Sequence, residues 1–240
     1  MWINLLVVLA IWLAPSLGQA AIDCVDAGAT EFHGDAPADP KTVSYTTPAG
    51  DNRITLVGVA YRGGDRSSTT ATIGGNAMTE SQTHVHDGVT AGGQIFYYVN
   101  PPSGTNDVVV NWEPTGAPLN GSIIILTCTG VDQVSPFRST NGTSATTGTT
   151  ATVTLGSINA GDVAVDVVSS DDTTSLSVGA NQTVIHDGAT SSSMAGMSYQ
   201  AGADGGVMSW TLGATDNWAI LAVALKPFET DDGGEPIWFP

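Results

Sequence analysis

Apolar and polar residues along this chain alternate in short runs separated by Gly, Asn, Asp and Pro, with no helical apolar stripe after residue 20. A period of two is the mark of half-buried strands, because successive side chains of an extended backbone point to opposite faces. The pattern predicts strands over residues 42–46, 53–61, 69–73, 82–86, 94–99, 107–112 and 122–129. A second series follows over residues 151–155, 162–169, 175–178, 183–186, 196–200, 207–212 and 218–225. Gly63-Gly64, Gly74-Gly75-Asn76, Asp87-Gly88 and Asn100-Pro101-Pro102-Ser103-Gly104 separate strands of the first series, all residue types that favour tight turns. Residues 123–126 and 219–225 are apolar without interruption, as expected of central strands covered on both faces.

The two series answer to each other. Val85-His86-Asp87-Gly88-Val89-Thr90 returns as Ile185-His186-Asp187-Gly188-Ala189-Thr190, Leu56 to Tyr61 answers to Val163 to Val168, and Trp112 to Trp210. One strand-rich unit used twice points to architecture, since a single reaction centre has no reason to be doubled. The expected fold is all-β: a pseudo-symmetric, jelly-roll-like β-sandwich in which two repeated units interlock. The alternative is two tandem immunoglobulin-like domains. The shorter second unit, with little aromatic core of its own, favours the interlocked form. Boundaries follow as a signal peptide at 1–20, an N-terminal segment at 21–41 and a first repeat at 42–138. A Ser/Thr/Gly connector at 139–150, a second repeat at 151–228 and an acidic, apolar-tipped tail at 229–240 complete the chain.

Charge changes the picture of partners. Six basic residues stand against 23 acidic ones, for a net charge of −17, and the scattered cations form no patch that could neutralise phosphates. Nucleic acid is therefore excluded as an expected partner. Residues 1–20 read as an export signal ending in Gly18-Gln19-Ala20, with an uncleaved anchor as the alternative; once it is removed no membrane span remains. In an oxidising compartment the only two cysteines, Cys24 and Cys128, are expected to pair, against the alternative of two free thiols.

The ordered series Leu56-Val57-Gly58-Val59, Ile73-Gly74-Gly75-Asn76-Ala77-Met78-Thr79, Tyr97 to Thr105, Gly130-Val131-Asp132-Gln133 and Asn217-Trp218-Ala219-Ile220 is similar to β-sandwich modules of secreted bacterial and archaeal surface proteins. The resemblance covers roughly residues 42–228. It implies an extracellular or cell-surface setting and no catalytic role, and it carries no functional residues over.

Candidate chemistry is sparse. His84 and His86 share a strand face and could hold zinc or copper with His33, but Val184 replaces the first histidine in the second unit. Asp171, Asp172, Asp204 and Asp216 are the calcium candidates, because a hard cation takes several carboxylate oxygens from flexible loops. Trp112 and Trp210 are expected in the core. One residue of Phe96-Tyr97-Tyr98 is expected to face outward, where with Tyr61 it could stack on a sugar. Asn120, Asn141 and Asn181 begin glycosylation sequons, Asn141 in the exposed connector. Ile237, Trp238 and Phe239 form an apolar tip suited to docking on a partner. With no nucleophile elbow and Glu31, Glu80 and Glu113 as the only glutamates ahead of the tail, hydrolysis is not expected. The resulting expectation is a secreted, non-enzymatic structural or adhesive surface protein that associates with itself or with other surface proteins. The alternative is a carbohydrate-binding module with glycan partners.

Overall fold

The structure, a computed structural model, describes residues 20–24, 30–35, 37–81, 85–113, 118–171 and 174–229. The predicted signal segment, apart from Ala20, lies outside them. The first half contributes β1 (Thr30–Asp35), β2 (Lys41–Thr47), β3 (Ile54–Arg62), β4 (Thr70–Ile73) and β5 (Asn76–Ala77). It continues with β6 (Thr79–Glu80), β7 (Val85–His86), β8 (Ala91–Val99), β9 (Gly104–Asn111) and β10 (Asn120–Cys128). The second half contributes β11 (Phe137–Ala145), β12 (Thr150–Thr154), β13 (Val163–Ser170) and β14 (Leu176–Val178). After these come β15 (Thr183–Ala189), β16 (Met194–Ala201), β17 (Val207–Leu212) and β18 (Trp218–Leu225). Among the described residues the one helical segment is the 3-10 turn Gly202–Asp204, so the chain is all-β.

Each half folds into a large and a small antiparallel sheet. The first pairs β1-β10-β3-β8-β6, with β7 also on β8, and separately β2-β9-β4-β5. The second pairs β11-β18-β13-β16-β15 and β12-β17-β14. The strand order is the same in both halves, and the first-to-last and second-to-second-last pairings are those of a jelly roll. Each half therefore closes as its own sandwich, whereas the sequence favoured copies that interlock into one. The second half has enough core to close alone: Trp210, Met208, Leu176 and Trp218 pack with Ala151, Ala222 and Ala224 between its two sheets. In the first half Tyr45, Tyr61, Phe96 and Trp112 do the same with Val57, Val59, Ile123 and Ile125.

A third core joins the halves. The other faces of the large sheets present Ile54, Leu56, Ile95, Ile124 and Leu126 from one side and Val165, Val167, Met197, Leu221 and Val223 from the other. The strand stacking is reversed between the two sheets: β3 lies on β13, β8 on β18, β10 on β16, β7 on β11 and β1 on β15. This is the geometry of a two-fold contact, in which equivalent elements meet at the axis. Ile54 pairs with the last residue of β10 and Val163 with the last residue of β18, which makes Gly58 and Val167 equivalent. The two touch: a Cβ on Gly58 would collide with Val167 Cγ2 and lie 2.8 Å from Met197 Cε. The sequence match of Leu56 with Val163 is thus two residues out of register, an error that preserves the faces because strand periodicity is two.

Three local expectations need correction. Most of the connector, read as a loop from its polarity, is the edge strand β11, which pairs along β18; a sheet neighbour supplies the order that a Ser/Thr-rich segment lacks alone. The repeated His-Asp-Gly segment adopts two structures. Asp87 turns the chain after β7, its Oδ1 accepting from the amides of Val89, Thr90 and Ala91, whereas Asp187 and Gly188 continue in β15 against β16. Trp112 and Trp210 are both fully buried, but Trp112 follows β9 and packs toward Gly121, while Trp210 lies within β17 over Gly196.

The Cys24–Cys128 disulfide ties the segment before β1 to the end of β10 across a sequence separation of 104, and Asp23 bridges Thr129 beside it. Closing a loop of that length contributes about 4 to 5 kcal/mol through the entropy of the unfolded chain. The sharper test of the fold concerns the two-fold axis. Gly58→Ala should lower stability to urea by about 1 to 3 kcal/mol through overpacking. Adding Val167→Ala should return part of that loss, whereas independent, additive losses would refute the close approach at the axis.

Candidate functional site

Polar side chains gather at one end of the interface between the halves. Arg62 closes β3 and Asp171 follows β13; the guanidinium Nε lies 3.2 Å from Asp171 Oδ1. Thr90, in the turn before β8, donates its hydroxyl to Asp171 Oδ2 (2.5 Å) and accepts from Asn217 Nδ2 (2.9 Å). Ser169 Oγ donates to the Tyr61 carbonyl (3.0 Å), and Ser192 Oγ to Asn120 Oδ1 (2.7 Å). Each of these contacts crosses from one sandwich to the other. Burial raises the Asp171 pKa, the Thr90 hydroxyl and Arg62 pull it back, and Asp216 and Asp87 push it up again. Acids of both halves thus meet here around one arginine.

His86 belongs to the same end. Its ring stacks on Tyr61 at 6.1 Å between centroids, its Nε2 lies 3.2 Å from the Gly63 carbonyl and its Nδ1 accepts from Gly88 N. The Ser144 hydroxyl of β11 donates to the His86 carbonyl (3.2 Å). The histidine is a packing and hydrogen-bonding element of the seam. His33 lies on β1, the opposite edge of the sheet from β7, about 19 Å away at the usual strand spacing. The proposed histidine trio is therefore not brought together, and His84 lies outside the described residues.

The aspartates picked out for calcium also separate. Asp171 and Asp216 are neighbours at the seam, Asp172 lies outside the described residues, and Asp204 sits in the turn after β16. Met194 pairs with Ser170 and Ala201 with Val163, so Asp204 is at the far end of the sheet from Asp171. Asp171 is itself committed to Arg62 and Thr90. Among the described residues no three His, Cys, Asp or Glu side chains gather as a metal site. Of the sequons, Asn120 is 2 % exposed and hydrogen-bonded in the seam, which removes it as an acceptor; Asn141 and Asn181 are exposed. No aromatic whose burial is described is exposed: Phe96 is buried, Tyr97 stands edge-on to Phe137 at 4.8 Å, and Tyr98 is half-buried. The outward aromatic expected from Phe96-Tyr97-Tyr98 is thus absent, since neighbouring side chains cover what strand alternation alone leaves open. Ile237, Trp238 and Phe239 lie outside the described residues.

One ionisable group was not singled out from sequence although its signal is visible, an acid inside the apolar run Val163-Ala164-Val165-Asp166-Val167-Val168. Asp166 is fully buried between the sheets of the second sandwich, where the first half has Val57. Its Oδ1 accepts from the amide and hydroxyl of Ser198 (both 2.8 Å), and its Oδ2 from Trp210 Nε1 (2.8 Å) and Gln182 Nε2 (3.4 Å). Gln182 also accepts from Ser209 N (2.8 Å), so the cluster ties both sheets together. Burial pushes the carboxyl up to about 7, against the pull of the Ser198 and Trp210 hydrogen bonds.

Two predictions follow from these groups. The folded state holds the Asp166 proton more tightly than the unfolded chain, so its contribution is complete below about pH 4 and is lost as pH rises through about 7. The loss is on the order of 4 kcal/mol. Urea midpoints taken from pH 4 to 8 should fall less steeply for Asp166→Asn than for the natural chain; identical slopes would refute a raised pKa. At the seam, Asp171→Ala and Thr90→Val should each destabilise by about 1 to 3 kcal/mol. In a double-mutant cycle they should couple by about 1 kcal/mol, and strict additivity would remove the inter-half role of the pair.

No family model, curated protein or solved structure matches this chain.

Proposed function

We propose that this chain is an exported, non-catalytic structural or adhesive component of an extracellular surface, a rigid double sandwich that associates with itself or with other surface proteins. The observation that carries this reading is the interface between the halves. The central strands of each large sheet bury one face against the other sheet, and the most distinctive charged and polar residues at the end of that contact tie the sandwiches together. A block built this way resists deformation and presents its edges and outer faces for contact.

Several features support the reading. The Cys24–Cys128 bridge fits an oxidising compartment, and residues 1–20 have the pattern of an export signal. No helix among the described residues is long and apolar enough to cross a membrane. The outer faces of the small sheets present exposed Thr42, Ser44 and Thr46 of β2 and Thr150 and Thr154 of β12, a hydroxyl-bearing surface typical of strands in water. The resemblance to secreted surface modules points the same way. The glycan-binding alternative gains no support from Tyr61, which is 1 % exposed, or from Tyr97, which is packed on Phe137.

In this reading the apolar Ile237-Trp238-Phe239 tip contributes to cohesion. Deleting residues 230–240 should lower the association measured by sedimentation velocity while leaving the far-ultraviolet circular dichroism and melting temperature unchanged. An unaltered sedimentation profile would remove the tail from the assembly. A full-length chain that stays monomeric at millimolar concentration would sink the self-association itself.

A further inference from the structure

We infer that the β11–β12 edge of the second sandwich is the self-association surface, taken by the same edge of a second copy of this chain with β11 pairing antiparallel to β11. The inference rests on the self-association proposed above and assigns it a place.

β11 ends the second large sheet and β12 ends the small sheet beside it, so neither has a second strand partner in the described fold. They form one side of the sandwich, bridged by Asn141 Nδ2 donating to the Thr154 carbonyl (2.8 Å). Beyond the irregularity at Phe137/Ser139, β11 runs in unbroken register against β18 from Ser139 to Ala145. Within it Gly142 N–H is capped by the Asn141 side-chain carbonyl (2.9 Å), a local substitute for the carbonyl that a neighbouring strand supplies.

Charge selects this edge over the others. No ionisable residue lies between Arg138 and Asp162, in a chain whose net charge is −17. Arg138 at the start of the edge is itself paired with Asp162 (Nη2 to Oδ1, 3.1 Å). The equivalent edge of the first half carries Glu31 and Asp35 on β1 and Asp39 just before β2, and β15 carries Asp187. β5, β6 and β7 have two residues each and β14 has three, too short to hold a partner strand. Strand pairing brings backbones to about 4.8 Å, well inside the roughly 8 Å over which salt screens charges. Like charges brought that close repel, and β11–β12 is the side on which two acidic copies meet without that repulsion. It also lacks the edge lysine, proline or inward charge that normally blocks strand addition. A strand that pairs with its own copy gives a closed two-fold contact.

The test uses the full-length chain. Hydrogen exchange at rising protein concentration should show the amides of residues 140–145 gaining protection as the chain associates. Thr143 is exposed; Thr143→Glu should weaken association at least tenfold in sedimentation velocity without changing the melting temperature, while Thr143→Ser should behave as the natural chain. If the natural chain associates but residues 140–145 gain no protection and Thr143→Glu associates normally, the edge assignment is overturned and the self-association reading stands. If the natural chain stays monomeric, both fall.

Discussion

The burial of two large sheets against each other is the interaction on which the rest of this structure depends. A jelly-roll sandwich needs only one face of each sheet for its own core. Here the second face of β3, β10, β13 and β18 is apolar as well, and in water each half would expose Ile54, Leu56, Ile124 and Leu126 or Val165, Val167, Leu221 and Val223. At about 25 cal/mol per Å² of apolar surface, leaving such faces wet is unfavourable by more than the net stability of most domains. The halves are thus obliged to meet, and the reversed stacking of equivalent strands is how two like faces satisfy each other. The contact at the axis uses unlike residues, Gly58 under Val167, so that one side chain fills the space that two valines would overfill.

Around that hydrophobic contact the polar residues act mainly as positioning groups. Arg62, Thr90, Asp171 and Asn217 link the ends of β3 and β13 with the approaches to β8 and β18, which fixes the rotation of one sheet on the other. Hydrophobic burial is non-directional and leaves sliding open; charge-assisted hydrogen bonds do not. Asp166 plays the corresponding part inside the second sandwich, where four donors converge on one carboxyl between β13, β16 and β17. The first half has Val57 at that place and an aromatic-rich core, so the two sandwiches reach closure by different chemistry on the same strand order. The disulfide adds a covalent tie at the opposite end of β10.

Much of the fold was legible in the residues. The period-two runs located most of the strands, with β17 and β18 matched at both ends, because half-buried strands leave a local imprint. The uninterrupted apolar runs at residues 123–126 and 219–225 correctly marked strands covered on both faces. Cys24 and Cys128, the only two cysteines of the chain, are bonded to each other. Polar edge strands leave no such imprint: residues 139–145 read as part of a loop because nothing in them is deeply buried, and only β18 beside them makes them a strand. The same limit explains Asp187-Gly188, whose sequence says turn and whose neighbour β16 keeps it extended.

The candidate site was legible in part for the same reason. Asp171, Asp216, His86 and Asp87 were each noticed as residue types, but their meeting is a property of two sheets from opposite halves of the chain, and no spacing along the sequence encodes it. Nor does spacing show that Arg62 and Thr90 already occupy the Asp171 carboxylate, or that Asn120 is buried where Asn181 is not. By itself the sequence determined the all-β class and the place of most strands, because alternation and turn chemistry act over a few neighbouring residues. The tertiary structure decided that each copy closes alone, which faces join, and which polar groups become fasteners, because those outcomes depend on surfaces that exist only after the sheets have formed.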